Sequence, residues 1–338
     1  MNIVILDDYQ DAVRKLPCFE RLADHEVKVF NNNVKGAGQL AVRLRDAQAL
    51  VLNRERTALS AAVLARCPKL RVVAQTGRAG AHIDVDACTR AGVAVLQGTT
   101  DPAPTAEFTW ALIMAAMRRI PQYVASLKQG AWQQSGLKSQ SMPVNFGLGQ
   151  RMAGKTLGIW GYGRIGRMVA GYGRAFGMRV LVWGSEASRQ AAREAGLDAA
   201  ADRADLFAQS DVLTLHLRLN ENTRGLVTLA DLSQMKPDAV LVNTARAELI
   251  ATDALVAALN RGRPGMAAVD VFESEPIMRG NPLLRLENAI CTPHVGYVDE
   301  MHYEHMFGQA FDALARFAAG ERDDVINPEA LRHSHWAS

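Results

Sequence analysis

The chain has 338 residues, of which 49% are hydrophobic and 22% charged, and its formal net charge is +3. This length exceeds what one hydrophobic core usually covers, so we expect two domains. The sequence has no basic stripe, which argues against nucleic acid as the main partner. It also has no run of 18 apolar residues and no signal-peptide pattern at its start, so we expect neither a membrane span nor secretion.

The spacing of the cysteines bears on metal binding and on the redox environment of the protein. Cys18, Cys67, Cys88 and Cys291 show no C-x-x-C spacing and no companion histidine at metal-ligand distance. We therefore expect free thiols, no metal site and a reducing, cytoplasmic environment.

The first hundred residues alternate between short β-rich runs and helical patterns, which predicts an open parallel sheet. The predicted strands are residues 3–6, 27–30, 49–53, 72–75 and 93–96, and the predicted helices are residues 39–45, 60–66 and 84–91. A proline-bearing turn at residues 101–104 then precedes a predicted helix at 106–120, capped by Thr105 and stopped before Pro121. The polar segment 129–154 is longer than most loops, and we expect it to pack against another subunit.

A strand-to-helix glycine loop follows the strand predicted at residues 156–160. Its pattern, G-x-G-x-x-G, brings free N–H groups and the positive end of a helix dipole to one point, where a pyrophosphate can bind. Gly161 permits the tight turn, Gly163 lets phosphate oxygens approach, and Gly166 lets the helix at 164–176 lie close to the strand. A second strand at 179–183 completes a dinucleotide-binding βαβ unit.

The alternation continues to the end of the chain. Further strands are predicted at residues 212–217, 239–243, 266–271 and 289–292, with helices at 229–235, 252–260 and 299–319. The predicted fold class is therefore α/β, with two doubly wound parallel-sheet domains. A Rossmann dinucleotide-binding domain (residues 102–294) is inserted into a flavodoxin-like substrate domain (residues 1–101 and 295–338).

Three polar residues stand where strands of the second sheet should end: Arg246, Glu275 and His294. Because the carboxyl ends of parallel strands meet at one edge, we expect these side chains to converge. A guanidinium can clamp a carboxylate, and a histidine beside a glutamate makes an acid/base whose charged form is stabilised. Each residue alone is typical of an ordinary surface position. Together, after a dinucleotide unit, they favour a hydride-transfer site.

Five segments carry a family resemblance: residues 158–166, 210–216, 235–246, 269–276 and 292–296. In order and spacing they resemble the D-isomer-specific 2-hydroxyacid dehydrogenases, a family that includes D-3-phosphoglycerate dehydrogenase, glyoxylate/hydroxypyruvate reductase and D-lactate dehydrogenase. The resemblance implies that Arg246 holds the substrate carboxylate and carbonyl, that His294 is the general acid/base, and that Glu275 strengthens it as a base. It also implies a homodimer formed through the helix at 106–120 and the segment 129–154.

The same resemblance implies NAD(H) as cofactor. The implied cofactor-binding residues are Gly161, Tyr162, Gly163, Arg164, Ile165, Gly166, Gly184, Ser185, Glu186, His216, Thr244, Ala245 and Asp270. Asp270 is expected on the nicotinamide side. NAD-preferring members carry an aspartate after the second strand, where this chain has Gly184, Ser185 and Glu186, so NADP(H) stays open as a second accepted cofactor.

In the first domain, Arg54 and Arg56 resemble the substrate-side arginines of phosphoglycerate dehydrogenases, while an exposed charged turn stays open as an alternative. Arg78, Ala79 and Gly80 fall where the family carries a loop whose amides grip the substrate carboxylate. Tyr297 stands where many members have a small residue.

The expected function is therefore interconversion of a D-2-hydroxy acid and its 2-oxo acid with a nicotinamide cofactor. D-3-Phosphoglycerate dehydrogenase and hydroxypyruvate/glyoxylate reductase are the candidate activities. The alternative is an NAD(H)-sensing binding protein of the co-repressor type with little turnover, because co-repressors similar to this family keep its fold.

Overall fold

The structure is a computed structural model that describes residues 1–138 and 142–333. The chain forms two compact units. Unit 1 comprises Met1–Asp101 and the chain from Val298 onward, and unit 2 comprises Pro102–Tyr297. Residues 139–141 of the predicted subunit-packing segment and residues 334–338 of the predicted substrate domain lie outside the described residues.

Unit 1 is built on a five-stranded parallel sheet in the order β2-β1-β3-β4-β5. Its strands are β1 (Asn2–Ile5), β2 (Glu26–Val29), β3 (Ala49–Leu52), β4 (Val72–Gln75) and β5 (Ala94–Gln97), and its first helices are α1 (Ala37–Leu44), α2 (Ala61–Leu64) and α3 (Val85–Arg90). Strands β3 and β4 are buried along their whole length, as expected for parallel strands covered on both faces. The order reverses between β1 and β3, and ligands of such sheets bind beyond the carboxyl ends of the strands.

Unit 2 begins with two helices where the sequence predicts one. Helix α4 spans Ala103–Met117 and α5 spans Ile120–Lys128. The predicted start at Thr105 is wrong because Pro104 lies in the first turn, where a missing N–H group costs nothing. The break comes at Arg119, whose φ of 57° is left-handed and whose guanidinium donates to the carbonyl groups of Ala116 and Phe146. Pro121 then lies in the first turn of the next helix, which begins at Ile120, rather than stopping the first.

A seven-stranded parallel sheet forms the rest of unit 2, in the order β12-β11-β10-β9-β6-β7-β8. The strands are β6 (Thr156–Trp160), β7 (Arg179–Trp183), β8 (Asp198–Ala199), β9 (Val212–Leu215), β10 (Val240–Asn243), β11 (Met266–Val269) and β12 (Ala289–Cys291). The helices are α6 (Arg164–Ala175), α7 (Glu186–Glu194), α8 (Arg203–Gln209), α9 (Leu229–Leu232) and α10 (Ala254–Asn260). The chain reverses direction across the sheet between β6 and β9, as in dinucleotide-binding folds. The predicted α/β class with two parallel sheets is confirmed.

Alternate residues of the central strands enter two separate cores. Leu157 and Ile159 of β6 pack into one cluster, whereas Trp160 packs into the other with Leu213 and Leu215 of β9. Both faces of this sheet are therefore covered, which holds its strand ends at fixed positions.

The chain returns to unit 1 through α11 (Glu300–Ala318), capped by the Asp299 carboxylate, which accepts the N–H of His302. Asn327 then joins the returning segment to β5, because its Oδ1 accepts the N–H of Val95 at 2.8 Å. Across residues 1–138 and 142–333, no helix is long and apolar enough to span a bilayer.

Candidate active site

The carboxyl ends of β10, β11 and β12 lie side by side, since these strands are consecutive and parallel in the sheet. Arg246 follows β10 by three residues, Asp270 directly follows β11, and His294 follows β12 by three residues. Adjacent strand ends therefore bring one guanidinium, one carboxylate and one imidazole to the same edge of unit 2.

Glu275 and His294 form a direct pair. His294 Nδ1 lies 2.7 Å from Glu275 Oε2, with the two side chains 23% and 25% exposed. The other carboxylate oxygen of Glu275 accepts the N–H of Phe272 at 3.0 Å, which fixes the carboxylate from behind. Nδ1 is therefore the ring nitrogen that faces the carboxylate, and Nε2 lies on the other side of the ring. The backbone of His294 is left-handed, with φ of 55°.

Asp270 holds the loop that carries His294. One carboxylate oxygen accepts from Thr292 Oγ1 at 2.6 Å and from the N–H of Val295 at 3.0 Å, and the other accepts the N–H of Gly296 at 2.8 Å. Burial raises the pKa of Asp270, against the opposing effect of these hydrogen bonds and of the nearby His294 charge. The family resemblance implied that Asp270 lies on the nicotinamide side, and the sequence gave no indication that it supports this loop.

Arg246 is fixed through its backbone. Asn243, the last residue of β10, donates from Nδ2 to the Arg246 carbonyl at 2.8 Å and accepts the Ala245 N–H at 3.0 Å. The neighbouring Thr244 is buried, and its hydroxyl lies 2.7 Å from that of Thr109 on α4. The backbone turn that carries Arg246 is therefore held by Asn243 and Thr244, and the guanidinium itself donates to the Ala245 carbonyl at 2.7 Å.

Tyr297 packs edge-on against the His294 ring, with ring centroids 6.1 Å apart and planes at 88°. It is buried, at 6% exposure. The sequence marked Tyr297 only as a departure from the family, and the structure adds that its ring lies edge-on against the imidazole of His294.

The glycine loop has the shape that a dinucleotide requires. Gly161 has φ of 103°, and a Cβ there would lie 2.6 Å from the carbonyl oxygen of His216. A Cβ on Gly166 would collide with the carbonyl of Gly161, whereas one on Gly163 would point into open space. Helix α6 starts at Arg164, and no side chain caps its first turn. The side of the loop at Gly163 is therefore open to a phosphate, and Tyr162, Arg164 and Ile165 occupy the same turn.

The end of β7 carries opposing charges. Ser185 caps α7, since its hydroxyl accepts the N–H of Ser188 at 3.3 Å. Glu186 forms ion pairs with Arg189 and with Arg193, and the Arg189 guanidinium lies 4.4 Å from the centre of the Trp183 ring. Gly184 has φ of 157°, which disfavours any side chain there. No carboxylate stands at the first position after the strand, and the nearest one is engaged by two arginines.

His216 follows β9 beside the glycine loop, and its backbone N–H donates to the Trp160 carbonyl at 2.8 Å. Its Nε2 lies 3.1 Å from Thr214 Oγ1, and burial lowers the pKa of His216 to about 4. The ring is therefore neutral near pH 7.

The predicted substrate-side residues Arg54, Arg56, Arg78, Ala79 and Gly80 all lie in unit 1. Arg54 follows β3 in a left-handed conformation, and its N–H donates to Thr76 Oγ1 at 2.9 Å. Ala79 donates its N–H to the Gln97 side chain at 3.1 Å, so that amide already has a partner. In the described part of the chain, no group of three or more His, Cys, Asp or Glu residues is arranged to hold a metal ion.

Comparisons with known proteins show which family the chain resembles. Residues 110–296 match the family model of the D-isomer specific 2-hydroxyacid dehydrogenase, NAD binding domain. The glyoxylate reductase of Aeropyrum pernix is 38% identical over 273 residues, which cover 80% of each chain. The D-3-phosphoglycerate dehydrogenase of Methanocaldococcus jannaschii is 37% identical over 97% of this chain but only 59% of its own length. A crystal structure from Ralstonia solanacearum, provisionally named a D-3-phosphoglycerate dehydrogenase oxidoreductase, is 61% identical over 98% of both chains with a TM-score of 0.96.

Proposed function

The chain belongs to the D-isomer-specific 2-hydroxyacid dehydrogenase family, and on that premise we propose that Arg246, Glu275 and His294 are its catalytic residues. It is an oxidoreductase that uses NAD to interconvert a 2-hydroxy acid and the corresponding 2-oxo acid. The observation that carries the residue assignment is the 2.7 Å contact between His294 Nδ1 and Glu275 Oε2, at the sheet edge where Arg246 also follows its strand. The comparisons give no support to the co-repressor alternative.

The residues divide the work by charge. Arg246 pairs with the substrate carboxylate and polarises the oxygen on the neighbouring carbon. In reduction, His294 enters as the imidazolium and donates the Nε2 proton to that oxygen, and in oxidation the neutral ring removes it. Glu275 balances the imidazolium charge and keeps Nδ1 protonated. The nicotinamide, when bound, supplies or accepts the hydride.

Asp270 acts through the loop rather than on the substrate. Its carboxylate gathers Thr292, Val295 and Gly296 on both sides of His294, so it positions the imidazole. The glycine loop at Gly161, Gly163 and Gly166 would hold the pyrophosphate.

For the substrate, D-3-phosphoglycerate and the hydroxypyruvate/glyoxylate pair are the candidates supported by the named relatives. Arg54, Arg56, Arg78, Ala79 and Gly80 are proposed as substrate-side residues. For the cofactor, the uncharged turn at Gly184 and Ser185 supports use of NADP(H) beside NAD(H), because nothing at the first position repels a 2′-phosphate.

We extend the proposal to a cytoplasmic homodimer. Helix α5 has no buried residue and exposes Ile120, Val124 and Leu127 along one face. Trp132, Val144 and Leu148 are also exposed large hydrophobics in the segment that follows. Such an apolar surface is typical of an interface, and a second copy of this chain is its proposed occupant. The unpaired thiols of Cys18, Cys67 and Cys88, all buried, support a reducing compartment.

The test is a turnover assay. Purified protein is mixed with NADH and a panel containing glyoxylate, hydroxypyruvate, pyruvate and 3-phosphohydroxypyruvate, and NADH oxidation is followed. We expect turnover with at least one of them, and loss of both binding and turnover in Arg246→Ala. Binding of NADH without turnover of any 2-oxo acid would instead favour the sensing protein.

A further inference from the structure

A complete arginine side chain is buried at the junction between α4 and α5 of unit 2. Arg119 is 0% exposed. Burial lowers the pKa of its guanidinium to about 10, so the group remains a cation near pH 7. A cation in the interior is costly unless its surroundings bind it. The groups that Arg119 contacts therefore indicate what the buried charge does.

The guanidinium joins three parts of unit 2. Nη1 donates to the carbonyl of Ala116 in α4 at 2.6 Å and lies 3.3 Å from Sδ of Met266 in β11. Nε donates to the carbonyl of Phe146 at 3.1 Å, and Cζ lies 4.0 Å from the centre of the Phe146 ring. All of these groups are uncharged, and within the described residues Nη2 makes no hydrogen bond. Arg119 thus ties Phe146 to α4 and β11 by carbonyl bonds and ring stacking.

Phe146 begins a short return segment, residues 146–150, that leads back toward β6. On α5, the hydroxyl of Tyr123 donates to the carbonyl of Gly147 at 2.8 Å. At the end of α4, the carbonyl of Met117 accepts the N–H of Gln150 at 2.7 Å. The return segment is therefore packed directly against α4 and α5, around the buried guanidinium.

These contacts also place an exposed leucine beside the apolar stripe of α5. Leu148 is 72% exposed and follows Gly147, the residue that Tyr123 binds. Tyr123 shares one side of α5 with Ile120 and Leu127, because residues three and four positions apart are neighbours on a helix surface. The exposed apolar surface of α5 therefore continues onto the return segment.

We propose that Arg119 is the positioning residue of the dimer interface: it fixes residues 146–150 against α4, so that Leu148 and the stripe of α5 meet a second copy of this chain as one preformed surface. The inference rests on the homodimer proposed above and names the residue that shapes its interface. A preformed surface loses less conformational freedom on association than a loose one, so Arg119 tightens the dimer without touching the partner.

The experiment measures amide hydrogen exchange of residues 146–150 and the dissociation constant of the dimer. Arg119→Met keeps a long unbranched side chain and removes every donor, whereas Arg119→Lys keeps a positive charge without the planar fork. Arg118→Met is the matched control, because it makes the same change at the neighbouring, exposed arginine. Val124→Lys places a charge in the stripe of α5 and leaves Arg119 unchanged.

Arg119→Met should accelerate exchange in residues 146–150 about 10-fold or more and should raise the dissociation constant by a similar factor. Arg119→Lys should give intermediate values, and Arg118→Met should match the wild type in both measurements. Val124→Lys should raise the dissociation constant but keep the slow exchange of the Gln150 amide, because its bond to Met117 lies within one chain.

Two results would overturn the inference. If exchange in Arg119→Met changes by less than about threefold, other contacts hold the return segment. If exchange accelerates while the dissociation constant is unchanged, the return segment takes no part in the interface. Should Arg119→Met fail to fold, Arg119→Lys decides between the same outcomes.

A wild type that is monomeric at every concentration would overturn the proposed homodimer together with this inference. Sedimentation of the wild type alone reveals that result, so it is distinguishable from a failure of the role of Arg119. Turnover of 2-oxo acids by the same samples tests the proposed catalytic function separately.

Discussion

His294 Nδ1 lies 2.7 Å from Glu275 Oε2, and the second oxygen of that carboxylate is held by the N–H of Phe272. The carboxylate is therefore anchored to its own loop while it faces the imidazole. In the proposed mechanism, Glu275 orients the imidazole through Nδ1, and Nε2 is the nitrogen that exchanges a proton with the substrate.

Replacing Glu275 by glutamine should change how the reaction depends on pH. Reduction needs the imidazolium, and the amide of glutamine stabilises that charge less than a carboxylate does. The alkaline limb of the kcat profile for reduction should therefore move to lower pH. Glu273→Gln, an exposed glutamate two residues earlier, is the matched control and should leave the limb in place. If the alkaline limb did not move in Glu275→Gln while chemistry is rate-limiting, Glu275 would have no influence on the protonation of His294.

The turn after β7 should accept both cofactors. We expect NADH to be somewhat better than NADPH, with a preference below about 100-fold in kcat/KM, or about 2.7 kcal/mol. A side chain on Gly184 would be strained, so the informative change is Ser185→Asp, which keeps a capping residue and adds a carboxylate. It should raise the preference for NADH about 10-fold or more, and the uncharged Ser185→Asn should not. A wild type that already discriminates by thousands would contradict this account.

The lowered pKa of His216 should make the cofactor-free protein less stable as the pH falls below neutral. Burial lowers its pKa to about 4, so the folded state binds fewer protons than the unfolded state between that value and about 6.5. The contribution is present in full above about pH 6.5 and is lost as the pH falls through this window. The free energy of unfolding can be measured with denaturant at pH 7, 6 and 5. It should fall less steeply with falling pH in His216→Gln than in the wild type, by up to about 1.4 kcal/mol per pH unit. Equal slopes would mean that the His216 ring is solvated.

The exposed face of α5 predicts self-association. Val124→Lys places a charge in the centre of the apolar stripe, whereas Val42→Lys places the same charge on an exposed valine of unit 1. Sedimentation velocity over a range of concentrations should give twice the mass of one chain for the wild type and for Val42→Lys. The dimer of Val124→Lys should dissociate at protein concentrations at which the wild-type dimer remains intact. A wild type that remains a monomer at all concentrations would remove the proposed interface.

Much of this fold was predictable because buried parallel strands appear as short apolar runs. Residues 72–75, for example, were predicted and observed with identical bounds. The break between α4 and α5 was not predictable, since the side chain of the left-handed Arg119 is held by a hydrogen bond to the Phe146 carbonyl, 27 residues away. The two-residue strand β8 leaves too little pattern to detect.

The candidate site divides in the same way. Arg246, Glu275 and His294 stand close to strand ends, so their shared edge could be inferred from the order of elements alone. The hydrogen bonds from the N–H groups of Val295 and Gly296 to the Asp270 carboxylate form because β11 and β12 are neighbours in the sheet. The spacing of residues in the sequence does not reveal that pairing.

The most direct test of the account is the rate of 2-oxo acid reduction by His294→Ala at saturating NADH. If His294 is the general acid/base, kcat should fall about 100-fold to 10,000-fold. His25→Ala, which removes an imidazole of unit 1 outside the proposed site, should retain the wild-type rate. A His294→Ala variant that turns over a good substrate at a near-normal rate would contradict the assigned mechanism.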